Sequence, residues 1–244
     1  MKTGISITVL DILLFLSFSV PVIAQGIKGD DAQENLYKIG SISADVGVVR
    51  KFDNRYEGVK GSPFFNDEWL DGSIEFEDGK VAEDVKLKYN IYEDELILLQ
   101  PNVGSIYLDR EKIGSFILNY PEKFGHELFI KYIHPVKTDL TQYYRVVFAG
   151  KVNLLEYTKI VYEKANFQGG YSNDKKYDEF KQYPSYYSQS DTSPFPMKVK
   201  TTTSAIIRIF PDHQDQIKEF IKSNILDFRK PEDIVKVFRY YEEL

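Results

Sequence analysis

The sequence predicts a mainly β fold: an antiparallel β-meander curled toward a half-barrel, with a C-terminal two-helix hairpin. Three observations predict it. Tyrosine (18) and phenylalanine (17) are abundant against a single tryptophan, and both favour pleated, half-buried surfaces. Apolar and polar residues alternate in run after run from Asn35 onward, the period of a strand with one wet face. Short turns join these runs and no helical period interrupts them before residue 211, so the crossovers a parallel sheet needs are lacking.

Taken in order, Met1–Ala24 opens with Lys2, runs through the apolar stretch Ile12–Val20 and closes on Val22-Ile23-Ala24. This is the pattern of a secretory signal cleaved after Ala24, with the mature chain beginning at Gln25. An uncleaved anchor over Ile5–Ala24 would carry Asp11 into the bilayer at a cost of about 3 kcal/mol. The stretch without Asp11 is too short to span. The expectation is an exported protein, periplasmic or at the cell surface, with no transmembrane segment in the mature chain. The chain has no cysteine, so it is not a lipoprotein, and disulfides, thiol catalysis and thiolate metal sites are excluded. About 220 mature residues suffice for a core without such staples.

Residues 25–34 read as a flexible polar tail and 35–210 as the β domain. Ser73–Glu77 and Lys80–Tyr89 flank Asp78-Gly79, a hairpin signal. In the second arm Val81, Val85, Leu87, Tyr89 and Ile91 share the core parity, while Lys80, Asp84, Lys86 and Lys88 face water. Further strands follow at Glu95–Leu99, Ser105–Leu108, Ile113–Asn119, Glu127–Ile133, Tyr143–Ala149 and Val152–Tyr162, about nine to eleven in all. The segment 167–197 breaks the rhythm and reads as a long tyrosine-rich loop carrying Tyr171, Tyr177, Tyr183, Tyr186 and Tyr187. Such a loop is an adaptable aromatic contact surface or an excursion packed on the sheet. Lys200–Phe210 returns as a strand. Residues 211–244 form the hairpin of helices: Pro211-Asp212 with Asp215 starts one, Pro231-Glu232-Asp233 the other. Their stripes are Ile217, Phe220, Ile221, Ile225 and Ile234, Val237, Phe238, Tyr241.

The net charge is −6 and the basic residues are scattered. No stripe is available to displace counterions from phosphates, so a nucleic-acid partner is not expected. His126 and His134 fall eight apart in one strand, about 26 Å at normal rise, too far to share a metal. His213 sits at a helix start. Serine-nucleophile elbows, phosphate loops and spaced calcium loops are missing. Carboxylate pairs such as Asp67-Glu68 and Glu93–Glu95 suit solvated strand faces. No cofactor, metal or catalytic residue is assigned, and the chain is not read as an enzyme.

The most distinctive stretch is Gly61-Ser62-Pro63-Phe64-Phe65-Asn66-Asp67-Glu68-Trp69, followed by Asp78-Gly79 and Leu87-Lys88-Tyr89-Asn90. It resembles a segment of an uncharacterised family of exported, β-rich envelope proteins of Bacteroidetes-type bacteria. That family shares a G-S-P-x-x-N-x-x-W opening, the aspartate–glycine hairpin and an L-K-Y-[DN]-x-Y strand. The likeness extends through Ile113-Gly114-Ser115-Phe116 to Tyr240-Tyr241. It implies an exported β protein and carries no catalytic residue across. Pro63–Trp69 is expected to plug one end of the sheet with Trp69 and Phe64 or Phe65. The binding candidates are Trp69, Phe64, Tyr171, Tyr183, Tyr186 and Tyr187. Two functions fit: a non-catalytic envelope protein binding a protein partner, as an accessory of an outer-membrane transport or secretion complex, or a carrier holding a small lipid or sugar ligand in the curved sheet.

Overall fold

The computed structural model describes residues 47–49, 56–101, 103–121, 125–134, 137, 140–166, 175–191, 193 and 195–244. The expected signal peptide, the 25–34 tail and Tyr171 lie outside these residues. Eleven described strands form one antiparallel sheet: β1 (Gly47–Val49), β2 (Leu70–Phe76), β3 (Val81–Asn90), β4 (Glu95–Gln100), β5 (Gly104–Leu108), β6 (Ile113–Tyr120), β7 (Gly125–Ile133), β8 (Thr141–Phe148), β9 (Val152–Glu163), β10 (Glu179–Ser190) and β11 (Met197–Lys198). Their spatial order is β1-β5-β4-β3-β2-β6-β7-β8-β9-β10-β11.

One connection shows why the sheet curls. β6 pairs with β2, four strand positions from β5, a distance of about 19 Å across a flat sheet. Only Asp109–Lys112 joins β5 to β6, and Arg110–Lys112 is a 3₁₀ turn, which spans far less than that at roughly 2 Å per residue. The link therefore closes only because the sheet bends back on itself. The concave face so formed carries the first core: Leu70, Ile74, Leu87, Tyr89, Leu96, Leu98, Ile106, Phe116, Leu118, Phe129 and Tyr143. Phe116 stacks on Phe129 at 4.8 Å, with Tyr89 and Tyr143 edge-on to Phe116 at 5.1 Å. Beside the rings a narrow gap of about 10 Å³ is lined among others by Phe65, Tyr89, Phe129, Tyr143, Arg145 and Thr158, room for one water.

The Asp78-Gly79 hairpin forms as expected, with Gly79 at φ +81°. The parity expected for β3 holds only from Val85 onward. Between the pairs Gly72↔Val85 and Ile74↔Ala82 the ladder gains one residue on β3, and Asp84 adopts φ +52°. This bulge turns Ala82 inward and leaves Val81 exposed.

Two other expectations are corrected. The 167–197 loop contains β10, paired with β9 over all twelve of its residues. Pro184 argues against a strand in sequence, yet it fits here because Phe180, Gln182, Pro184 and Tyr186 are the alternate residues facing away from β9. Phe180 N–H donates to Lys60 O and Tyr186 O accepts from Val199 N–H on that side, so the missing proline N–H breaks no bond to β9. Lys200–Phe210 is not a strand. It carries a helix, α1 (Thr203–Ile207), whose buried Ile206 lies four residues from buried Phe210. The C-terminal unit is thus three helices, with α2 (Gln214–Ser223) and α3 (Pro231–Glu243).

Pro231 opens α3, with Glu232 and Asp233 in its first turn, as the sequence predicts. His213, not Asp212, is the residue at the α2 N-cap, and Asp212 instead accepts the Tyr241 hydroxyl. The helices build a second core from Ile206, Phe210, Ile217, Ile221, Phe228, Ile234, Val237 and Phe238 around Leu154 of β9. Leu154 pairs across the ladder with Ser188 of β10 and shares its sheet face with Glu156, two residues on. Both cores therefore occupy the concave face, at its two ends.

Candidate functional site

Two places bring candidate residues together. The first is the seam of the open barrel, where segment 56–69 bridges β3–β4 and β10. Lys60 N–H donates to Asp178 O and Phe180 N–H to Lys60 O. Tyr56 meets Tyr92 at 6.1 Å and Phe180 at 5.0 Å, and Tyr92 meets Phe180 at 5.2 Å. Gly61 has φ +79°, and a Cβ there would lie 2.7 Å from Phe180 O. The position therefore requires glycine.

Beyond it the segment is fastened to β3 and the following turn: Phe65 N–H donates to Tyr89 O and Tyr92 N–H to Pro63 O. Phe65 makes the plug, packing on Phe129 at 5.0 Å and Tyr120 at 6.5 Å. Phe64 and Trp69 do not enter the core. They flank Lys88, whose Nζ lies 4.4 Å from the Phe64 ring centroid and 5.8 Å from that of Trp69, and donates to Asp67 O at 2.6 Å. Lys88, expected to face water, is only 9% exposed. Burial lowers its pKa, and the Asp67 charge opposes that shift. A buried ammonium between two rings and a carbonyl keeps its charge satisfied and fixes the loop.

Ser62 clamps the loop from the other end. Its Oγ donates to the Asp67 carboxylate and accepts from Phe64 N–H. An open groove of about 640 Å³ lies against this frame, lined among others by Phe64, Asn66, Asp67, Glu68, Tyr120 and Gln182.

The second place is the outer face of β7–β10. Register puts Ile130 opposite Tyr144, Tyr132 opposite Gln142 and Leu155 opposite Tyr187, so these side chains share the face away from both cores. Tyr144 is fully buried at its centre, with ring centroids of Tyr187, Tyr157 and Tyr132 at 5.1, 5.8 and 6.0 Å. Its hydroxyl has no hydrogen-bond partner among the described residues, and burial raises its pKa. Tyr183, 49% exposed, belongs to the same face, two alternations from Tyr187.

Tyr186 points to the opposite face. It packs on the helical core, and its pKa is pushed up to about 12 by burial and then by the Glu156 charge and hydrogen bond. The four described tyrosine and tryptophan candidates thus fall in different settings: Trp69 at the seam, Tyr183 and Tyr187 on the outer face, Tyr186 in the second core.

The charged groups on the concave face are mutually engaged. Arg145 donates to Glu127 at 3.0 Å and to both Glu156 oxygens at 2.9 and 3.3 Å. Burial works against its charge, but the two glutamates hold its pKa above the ordinary value. A guanidinium shared by two carboxylates makes a charge-assisted bridge from β7 across β8 to β9. Asp94, at φ +56°, accepts from the Tyr89 hydroxyl at 2.6 Å and from Arg110 at 2.7 Å. Burial raises its pKa against those two partners. The network anchors the β3–β4 turn to the β5–β6 link. His126 is exposed on β7, while His134 Nδ1 accepts the Lys137 N–H. Among the described residues no group of three His, Asp or Glu side chains is placed to hold a metal ion.

Sequence reasoning missed Tyr132, Tyr144 and Tyr157 as a group, although their parity within β7, β8 and β9 is readable. It also missed Gln182, because Pro184 masks the strand that carries it. Lys88 left no signal, since a lysine in alternation with Leu87 and Tyr89 looks solvent-facing until Phe64 and Trp69 fold over it. Comparison with protein-family models, with curated protein sequences and with solved structures gives no match to this chain.

Proposed function

We propose that the protein is a non-catalytic, exported component of the cell envelope that binds a protein partner, as an accessory of an outer-membrane transport or secretion complex. The observation that carries the reading is the outer face of β7–β10. There Tyr132, Tyr157 and Tyr187 cluster around fully buried Tyr144, whose hydroxyl has no partner among the described residues. Rigid aromatic area with polar tips is what protein contact surfaces use, and half-exposed Tyr183 extends that area toward solvent. Export rests on the Met1–Ala24 pattern, and the envelope setting on the resemblance of Gly61–Trp69 and the strands that follow it.

The concave face does not favour the carrier reading. Described side chains fill it from Leu70 to Phe238, and a ligand pocket needs at least about 300 Å³.

The test has two parts. Amino-terminal sequencing of protein from fractionated native cells should give a chain starting at Gln25 outside the cytoplasm. Mild crosslinking and affinity purification should recover one envelope protein at near-equal amount. Tyr183→Asp, which disturbs no core contact, should abolish that recovery. Recovery of the chain alone, as a stable monomer, sinks the reading.

A further inference from the structure

The seam groove is independent of the tyrosine face, and its lining decides what can occupy it. An extended peptide adding to β10 is ruled out by the edge itself. Of the outward-facing residues, Phe180 already donates to Lys60, Tyr186 already accepts from Val199, and Pro184 has no N–H. Among the described residues Gln182 alone keeps both groups, and one residue is not a ladder. Anions meet the exposed carboxylates of Asp67 and Glu68, and among the described residues no lysine or arginine lines the groove. An acyl chain would find apolar surface at Phe64, Phe65, Leu70 and Pro121, but in a solvent-open groove where it would also lie against the Asp67 and Glu68 carboxylates and the Asn66 and Gln182 amides.

We infer that this groove, between segment 62–68 and β10, binds an uncharged oligosaccharide. Its volume of about 640 Å³ falls within the range of small-ligand sites. Sugar hydroxyls donate to the Asp67 and Glu68 carboxylates and to the Gln182 amide oxygen, and accept from its NH₂. The C–H faces of a pyranose lie against the apolar rings Phe64 and Tyr120, which line the same groove. The frame is set before ligand arrives. Lys88 holds the Asp67 carbonyl, Ser62 the Asp67 carboxylate, and Asn66 Oδ1 accepts the Glu68 N–H at 2.7 Å. A rigid acceptor row loses little freedom on binding.

The experiment is calorimetric titration of the full mature chain with short neutral gluco-, manno-, galacto- and xylo-oligosaccharides. Sialylated and sulfated oligosaccharides serve as anionic controls. At least one neutral series should bind at millimolar or tighter affinity while the anionic ones do not. Gln182→Ala and Glu68→Ala, both on the surface of the groove, should each weaken it about tenfold with unchanged melting temperature. Tyr183→Asp should leave it intact, which separates this result from the fate of the protein-docking face. Absence of binding by every neutral series, binding of the anionic controls alone, or affinity indifferent to both groove substitutions overturns the inference.

Discussion

The two cores share one face of one sheet and are built by opposite rules. The first is aromatic and non-local: Tyr89, Phe116, Phe129 and Tyr143 come from β3, β6, β7 and β8. The second is mainly local: apart from Leu154, its buried members come from residues 199–238. Arg145, bonded to Glu127 and Glu156, stands between them, since Glu156 is two residues from Leu154 and Arg145 lies opposite Phe129. A non-local core forms only once the curl is made, whereas helices within a short stretch of chain meet early. The same difference predicts that the helical end opens without the barrel.

The largest effects should come from the rings. Phe116→Ala removes the stacked partner of Phe129 and should cost about 3–5 kcal/mol, read by chemical denaturation of the whole chain. Phe238→Ala, fully buried in the second core, should cost a similar amount, about 3–5 kcal/mol, but distribute it differently. Hydrogen exchange should show α3 unprotected while β3 and β6 stay closed. Equal loss of protection in both places would mean that the cores are one cooperative unit.

High pH should strain the two cores next. Burial raises the pKa of Tyr89 and Tyr143 in the first core, and that of Tyr186, in the second, to about 12. A tyrosine in the unfolded chain titrates near 10. The folded values are the higher ones, so the stability these groups contribute is complete below about pH 10 and is lost as pH rises through the folded values. Tyrosinate absorbance from these residues should grow in step with loss of far-ultraviolet circular dichroism. Ionisation well ahead of unfolding would contradict the burial.

A smaller effect is expected at the boundary. Arg145→Met keeps the aliphatic stem but leaves Glu127 and Glu156 facing each other without their cation. Both carboxylates are partly solvated, so the cost should be about 2 kcal/mol, below that of a fully buried broken pair. The double variant with Glu156→Gln should recover part of it. Lack of recovery in that cycle would show the bridge to be spacing rather than charge.

Most of the first core and its strands were legible because period-two alternation survives wherever one face is wet. It failed at Val81, where the Asp84 bulge reverses parity, and at Lys88, where distant rings remove a lysine from water. β10 was hidden by Pro184, whose harmlessness depends on which side of the strand is an edge, a fact set by pairing and not by sequence. α1 was hidden by Ala205, Ile207 and Ile209, whose spacing fits a strand as well as a short helix. Of the candidate surfaces, the Phe64–Trp69 neighbourhood was visible as a distinctive stretch. The tyrosine face was only half visible, since it needs β7, β8, β9 and β10 in register before its members meet.

The helical end carries one residue that local rules would not choose. α2 closes in a Schellman motif: Ile225 N–H donates to Lys222 O and Leu226 N–H to Ile221 O. The left-handed position of that motif, normally glycine, is held by Ile225 at φ +52°, 89% exposed. The stripe expected from the sequence placed Ile225 on the buried side; the turn instead carries it into solvent and leaves Leu226 to pack on the core. A branched side chain in this conformation costs about 1–2 kcal/mol, and no described burial offsets it. Ile225→Gly should therefore stabilise the chain by about 1 kcal/mol, after allowing for glycine's larger unfolded-state entropy. The gain should appear as a higher melting temperature with protection rising in α2 and α3 and unchanged in β3 and β6. A destabilised variant would mean that Ile225 makes an apolar contact that outweighs its strain.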